Sequence, residues 1–289
     1  MPTVIIGHDM PPELAADVEN ALQEMGVNVK ANGFTPQPRQ GKVIVVISPK
    51  GGSGKTAVSS NLAVALAQRH PGRVVAVDLD VQFGDLGTAL SITPERTLAQ
   101  LARTPQLDAT TIKLFLTSYE NGLYVLAGAD NPLDADSVTH AHVSAVVPLL
   151  AQTFDYVVVD TPAGLDDRTL AAIECATDVL LVSSLDVTSI RSLRKALDAL
   201  DQMGARAPRT LVLNRSDAKV GLDQSDAEEA LGLSISCSVP SSREVPLAMN
   251  LGIPVVVNEP KSAAAKQLQQ LAQHFAPATA EKARKGWRR

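Results

Sequence analysis

The sequence of 289 residues holds only two cysteines, Cys175 and Cys237, far apart in apolar segments and without CxxC spacing. That excludes a disulfide framework and a cysteine-based metal site, and fits buried, reduced thiols in a cytosolic protein. No apolar run approaches the roughly 18 residues a spanning helix needs, and the start carries no basic region followed by a long apolar stretch. Positive charge is not in excess either: 26 Lys and Arg against 31 Asp and Glu leave a formal net charge of −5. No global field therefore draws the chain to nucleic acid or anionic lipid, and any such binding is local. Internal repeats, low-complexity tracts and a nucleophile-elbow context are also missing. His140 and His142 have no further His or Cys at ligand spacing, which points to a helix N-terminal surface rather than a metal centre. A soluble, cytoplasmic protein is the expectation.

What the chain does have is enough apolar side chain, 45% of all residues, to bury a large core. Short runs rich in Val, Ile and Leu recur at 43–48, 73–78, 123–126, 156–160, 179–183, 210–213 and 234–238. Helical patterns separate them at 55–69, 137–152, 187–203, 223–231 and 262–275. This alternation predicts an α/β fold, a twisted and mostly parallel sheet with helices on both faces, and the continuous apolar runs fit strands covered on both sides. Along 187–203, Val187, Ile190, Leu193, Leu197 and Leu200 mark one inward face. The first 40 residues read as a strand at 3–6, a helix at 12–25 and a strand at 27–30, too little for an independent core. Turn and breaker residues from Gly33 to Gly41 read as a linker. The expected organisation is therefore a short segment over 1–40, a main domain over 41–276 and a basic tail over 277–289.

One segment carries chemistry with strong context. An apolar strand, Val43-Ile44-Val45-Val46-Ile47-Ser48, runs into a glycine-rich turn, Pro49 to Gly54, and a helix opens at Lys55-Thr56. Glycines let main-chain N–H groups close around phosphate oxygens, the helix N-terminus adds partial positive charge, and Lys55 reaches the β and γ phosphates. Thr56 offers a hydroxyl to Mg²⁺. The phosphate-binding set is Gly51, Gly52, Ser53, Gly54, Lys55 and Thr56. A second apolar strand ends in Asp160, which delivers a carboxylate to the same sheet edge, where it can hold Mg²⁺ through water. Expected ligands are thus ATP and Mg²⁺.

Lys50-Gly51-Gly52-Ser53-Gly54-Lys55-Thr56 resembles the deviant Walker A signature of the ParA/MinD family. Three further segments agree in order. Val77-Asp78-Leu79-Asp80 is similar to the family's switch I, and Phe154 to Gly164, with Asp160-Thr161-Pro162, to its Walker B and switch II. Leu213-Asn214-Arg215, then Val239-Pro240 and Ala248 to Val256, resemble its base-binding strand end and closing helix. The likeness spans roughly 42–275. It implies slow, partner-stimulated ATP hydrolysis, with Asp80 orienting the attacking water and Lys50 reaching the phosphates of a partner subunit in an ATP-bound homodimer. It also implies Asn214 and Pro240 beside adenine, and Asp78 as a further candidate near the metal. Ala57 stands where family members often carry a second Thr, which removes a contact to the α-phosphate.

Ser48 to Ser53, Val81-Gln82-Phe83-Gly84-Asp85-Leu86 and Ser189 to Lys195 resemble the pilus-assembly branch called CpaE or TadZ. Members of that branch carry a receiver-like domain before the ATPase, of which 1–40 supplies a fragment at most. Arg191, Arg194 and Lys195 fall on one helical face; this is either a solvated surface or a patch for non-specific DNA, as in ParA partition proteins, or for a protein partner. The tail over 282–289 has no sustained apolar face, so stable membrane insertion is not expected, while weak attraction to anionic lipid stays open. The implied addresses are a cell pole, the nucleoid or the inner membrane face. Three functions stay open: an ATP-driven switch serving a pilus or secretion scaffold, a ParA-like or MinD-like positioning ATPase, and an interaction protein that binds ATP with negligible turnover.

Overall fold

The computed structural model of the protein describes residues 3–4, 28–29, 40–218 and 221–276. The chain divides into two units, 1–39 and 40–289. In the first, β1 (Thr3–Val4) pairs in parallel with β2 (Asn28–Val29). The helix expected over 12–25 and the basic tail lie outside the described residues.

In the second unit the alternation of apolar runs and helical patterns becomes a single eight-stranded sheet. Its strands are β3 (Lys42–Ile47), β4 (Val74–Asp78), β5 (Thr117–Tyr119), β6 (Leu123–Leu126), β7 (Tyr156–Asp160), β8 (Asp178–Ser184), β9 (Arg209–Asn214) and β10 (Ile235–Val239). Across the sheet they run in the order β10-β9-β8-β3-β7-β4-β6-β5. Every neighbouring pair is parallel except β5 against β6. The mostly parallel α/β fold expected from the sequence is therefore present, with β3 in the middle.

Period-two alternation sends successive side chains of each strand to opposite layers. Val43, Val45 and Ile47 of β3 pack on one face with α5 (His140–Thr153), α6 (Asp167–Glu174) and α7 (Val187–Gln202). Ile44 and Val46 pack on the other with α1 (Lys55–Arg69), α10 (Val255–Asn258) and α11 (Ala263–Phe275). Both faces of the sheet are thus covered, which is why its strands read as unbroken apolar runs. The remaining helices are α2 (Leu86–Ala89), α3 (Leu98–Leu101), α4 (Ala109–Lys113), α8 (Gln224–Leu231) and α9 (Glu244–Leu251).

Two expectations need correcting. The helix expected from residue 137 begins at His140, because Pro132–Ser137 forms a separate 3-10 turn and Val138 is extended. His142 closes the new start, its Nδ1 accepting the Thr139 N–H at 3.2 Å, so this histidine caps a helix. The edge strand β5 and the helices α2, α3, α4 and α6 had no counterpart among the expected elements, whereas α9 and α10 cover the closing segment that the resemblance placed at 248–256; β5 is three residues with no apolar run, invisible to a pattern that looks for one.

Candidate nucleotide-binding site

The site forms where the carboxyl ends of β3, β7, β4 and β9 meet the start of α1. Leaving β3, the chain turns through Ser48 to Gly54 with Gly52 at φ 72° and Gly54 at φ 97°. Gly54 is obligatory on two counts. Its backbone is in the left-handed region that favours glycine, and a Cβ there would stand 2.3 Å from Asn214 Nδ2. That amide donates to the Ser53 carbonyl at 2.8 Å, so the end of β9 holds the loop in place. On its other side the Ser48 carbonyl accepts the Gly164 N–H at 3.1 Å, tying the loop to the turn after β7. Among the described residues no side chain caps the first N–H groups of α1, which leaves them to meet an anion. Ser53 Oγ is buried and has no hydrogen-bond partner among the described residues.

Lys55, the first residue of α1, is 8% exposed. Burial lowers its pKa, and the carboxylates of Asp160 and Asp80 push it back up. Asp160 ends β7 beside Asp78 at the end of β4, the two being register partners. The carboxyl of Asp160 is pushed by burial up to about 6, against the opposing pull of hydrogen bonds from Thr56 and Ser59 and of the Lys55 charge. Ser59, one turn after Thr56 on α1, stands 2.8 Å from Asp160 Oδ1 and fixes its rotamer. Thr161 donates to the Val46 carbonyl at 2.8 Å and locks the end of β7 against β3.

Asp78 is 3% exposed, and burial and the Asp160 charge raise its pKa well above the ordinary range. Its two oxygens accept the Asp80 N–H at 3.0 Å and the Leu86 N–H at 3.2 Å. Gly84 lies so close that a Cβ there would meet Asp78 Oδ2 at 2.3 Å. Asp78 is therefore the peg around which the loop of residues 80–86 winds. Asp80 is half-buried and accepts the Phe83 N–H at 3.2 Å.

Lys50 points away from the loop interior: its Nζ donates to Asp186 Oδ1 at 3.2 Å and Thr188 Oγ1 at 2.8 Å, at the start of α7. Asn214, Arg215 and Pro240 line a cavity of about 300 Å³ with Gly54, Ala57, Val245, Pro246 and Met249. The structure thus gathers Lys55, Thr56, Asp160 and Asp80 at one sheet edge, places Asn214 and Pro240 at an adjoining cavity, and holds Lys50 to one side. The expected basic face on α7 is narrower than its spacing implied. Arg191 and Lys195 are exposed, but Arg194 is half-buried, pairs with Asp198 and donates to the Leu231 carbonyl at 3.0 Å. Ser59, Asp186 and the α9 residues Val245 and Pro246 were not foreseen, whereas Met249 lies in the segment that the resemblance named: Ser59 lies one turn beyond the recognised motif, and the others depend on contacts distant in sequence.

A sheet of this topology, with a glycine loop running from its central strand into a helix and a carboxylate ending the strand beside it, defines a P-loop nucleotide-binding protein. A family model described as an AAA domain matches residues 41–212, more than half of the chain. The septum site-determining protein MinD of Thermotoga maritima is 28% identical over 241 residues, 81% of this chain and 88% of that protein. Among solved structures, a ParA family ATPase from Chlorobium tepidum TLS superposes with a TM-score of 0.76 at 24% identity, covering 82% of this chain and 99% of that one. MinD complexed with Mg-ADP from Pyrococcus horikoshii OT3 gives 0.73 at 25% identity, covering 84% and 99%. The chain belongs to the ParA/MinD family of P-loop ATPases. Among the described residues, no helix is long and apolar enough to cross a membrane.

Proposed function

We propose that this chain is a Mg²⁺-dependent ATP hydrolase that closes into a homodimer on ATP, reopens after slow, partner-stimulated hydrolysis, and uses that cycle to position or assemble a pilus or secretion machine. The observation that carries the reading is the convergence of Lys55, Thr56 and Asp160 at the mouth of α1, next to a cavity of a size suited to a base. The donor set fits Mg²⁺. A threonine hydroxyl and a carboxylate are hard oxygen donors, and the described residues include no group of three or more His, Cys, Asp or Glu able to hold a metal alone. Mg²⁺ takes the rest of its shell from phosphate oxygens and water. When bound, the ion neutralises charge on the β and γ phosphates.

In this reading the free N–H groups of the loop and of α1 bind the phosphates, and Lys55 balances the charge that grows between the β and γ positions. Asp160, its rotamer held by Ser59, would hold the ion through water. Asp80 lies on a loop pinned to Asp78 and directs the attacking water. Lys50 must leave Asp186 and Thr188 to act on the phosphates of a second copy. Asn214 and Pro240 flank the base. The main domain runs over 41–276, and 1–40 is a receiver-like remnant in the CpaE/TadZ sense.

A second reading is a ParA-like DNA partition ATPase or a MinD-like positioning ATPase; exposed Arg191 and Lys195 on α7 favour the DNA arm. Turnover of the parent, Lys50→Ala and Asp80→Ala separates a switch from a static binder: the switch requires measurable parent hydrolysis that both variants lose. Co-purification with and without ATP then identifies the scaffold. Salt-sensitive retention on DNA with ATP, lost in Arg191→Glu/Lys195→Glu, would transfer the assignment to the second reading.

A further inference from the structure

We propose that Gly252 and Ser91 form the joint through which a seated nucleotide base positions the loop that carries Asp80; the inference rests on the nucleotide reading above and adds two positioning residues to it. The loop closes on Asp78, which accepts the Asp80 and Leu86 N–H groups at 3.0 and 3.2 Å. Leu86 then opens α2, and the turn that ends this helix is closed by the Thr88 carbonyl, which accepts the Ser91 N–H at 3.1 Å. A helix of four residues does not hold itself in place. Its position, and with it the far anchor of the Asp80 loop, is set by the elements packed against it, α1 and α9.

The contact with α9 falls on Gly252, which closes that helix at φ 65°. A Cβ there would stand 2.5 Å from Ser91 Cβ, 2.8 Å from Ser91 N and 2.9 Å from Ser91 Cα. Two of these atoms are main chain, so no rotamer change makes room. Ser91 is itself left-handed at φ 49°, a strained conformation that persists where the surroundings impose it. At its other side α9 meets the ligand: Met249 and Asn250, two and three residues before Gly252, line the base cavity with Ala57 of α1. Beyond Gly252 the chain is tied to α1 by the buried Asn61, which accepts the Val256 N–H at 3.0 Å and donates to the Ala57 carbonyl at 2.8 Å. Held in this way, α9 faces the base with one end of a short lever and α2 with the other. A base seated against Met249 narrows the positions open to α2, whereas a triphosphate without a base fills the phosphate loop and leaves the joint loose.

The test compares Mg-ATP with Mg-tripolyphosphate, each at saturation, in the parent, Gly252→Ala and Gly252→Ala/Ser91→Gly. Hydrogen exchange of the main-chain amides over 80–91, read by mass spectrometry, needs no turnover and no variant. In the parent, ATP should slow that exchange about fivefold or more relative to tripolyphosphate. In Gly252→Ala the two ligands should protect the segment alike, and kcat for ATP should fall about tenfold while KM and the turnover of tripolyphosphate stay within about twofold. Removing the second Cβ in Gly252→Ala/Ser91→Gly should recover part of kcat. Equal protection by ATP and tripolyphosphate in the parent overturns the proposal. So does a Gly252→Ala protein that loses turnover of both ligands in the same proportion, the mark of general loosening rather than of a joint. Failure of the parent to bind ATP in calorimetry would instead remove the nucleotide reading itself.

Discussion

Replacing Gly54 with alanine tests how the phosphate loop is held. At φ 97° the residue lies beyond even the ordinary left-handed well, so any L side chain adds strain of about 1–2 kcal/mol. The new Cβ would also come within 2.3 Å of Asn214 Nδ2. The amide must swing away and its 2.8 Å hydrogen bond to the Ser53 carbonyl is lost, a further ~1 kcal/mol. Gly54→Ala should therefore cost about 2–3 kcal/mol. Gly52→Ala is the internal control: its φ is 72° and nothing lies within 4 Å of the added carbon, so only strain of about 1–2 kcal/mol applies. Urea unfolding of the two variants reads the difference. A double-mutant cycle with Asn214→Ala should recover about 1 kcal/mol of coupling, because the two changes remove the same hydrogen bond. Equal destabilisation at positions 52 and 54, with no coupling to Asn214, would refute the strut assigned to β9.

Asp160 has a folded-state pKa of about 6 against an ordinary 3.8, so the folded chain binds its proton more tightly than the unfolded chain. Stability of the nucleotide-free protein should therefore fall as pH rises from about 4 to about 6, and thermal melting across that window should show a smaller fall in Asp160→Asn. Removal of the hydroxyl in Ser59→Ala frees the Asp160 rotamer; apparent Mg²⁺ affinity in the presence of ATP should drop several-fold, while metal-free nucleotide affinity holds. Unchanged Mg²⁺ dependence would contradict the positioning role. Asp186→Asn keeps an amide able to cap α7 but removes the charge that holds Lys50. The pair is largely exposed, at 45% and 36% of side-chain area, so its release is worth at most about 1 kcal/mol. Sedimentation with ATP should show a modestly larger dimer fraction than the parent; a smaller one would exclude a restraining contact.

Much of the fold was legible because it depends on patterns local to each element. The run Val157-Val158-Val159 is apolar on consecutive residues because β7 is buried between two helical layers, and α7 shows its inward face in Ile190, Leu193 and Leu197. Lys55, Thr56 and Asp160 could be named from spacing, since a glycine loop between strand and helix leaves little choice of geometry. Less was available where function depends on side chains far apart in sequence. Nothing near Lys50 reveals Asp186, 136 residues away, and nothing near Gly54 reveals Asn214. Arg194 looked equivalent to its neighbours on a helical wheel, yet the carbonyl at the end of α8 claims it. Asp78 and Asp80 were told apart in sequence by resemblance alone; the two main-chain N–H groups wrapped around Asp78 are visible only in the structure.

The claim on which the account depends is that free amides and Lys55 at the start of α1 hold a triphosphate. Isothermal calorimetry of the purified parent with Mg²⁺ and ATP measures it directly. Saturable binding with one nucleotide per chain, abolished in Lys55→Ala at unchanged melting temperature, is the predicted result. No heat of binding at millimolar ATP, or a Lys55→Ala titration superimposable on that of the parent, would contradict it.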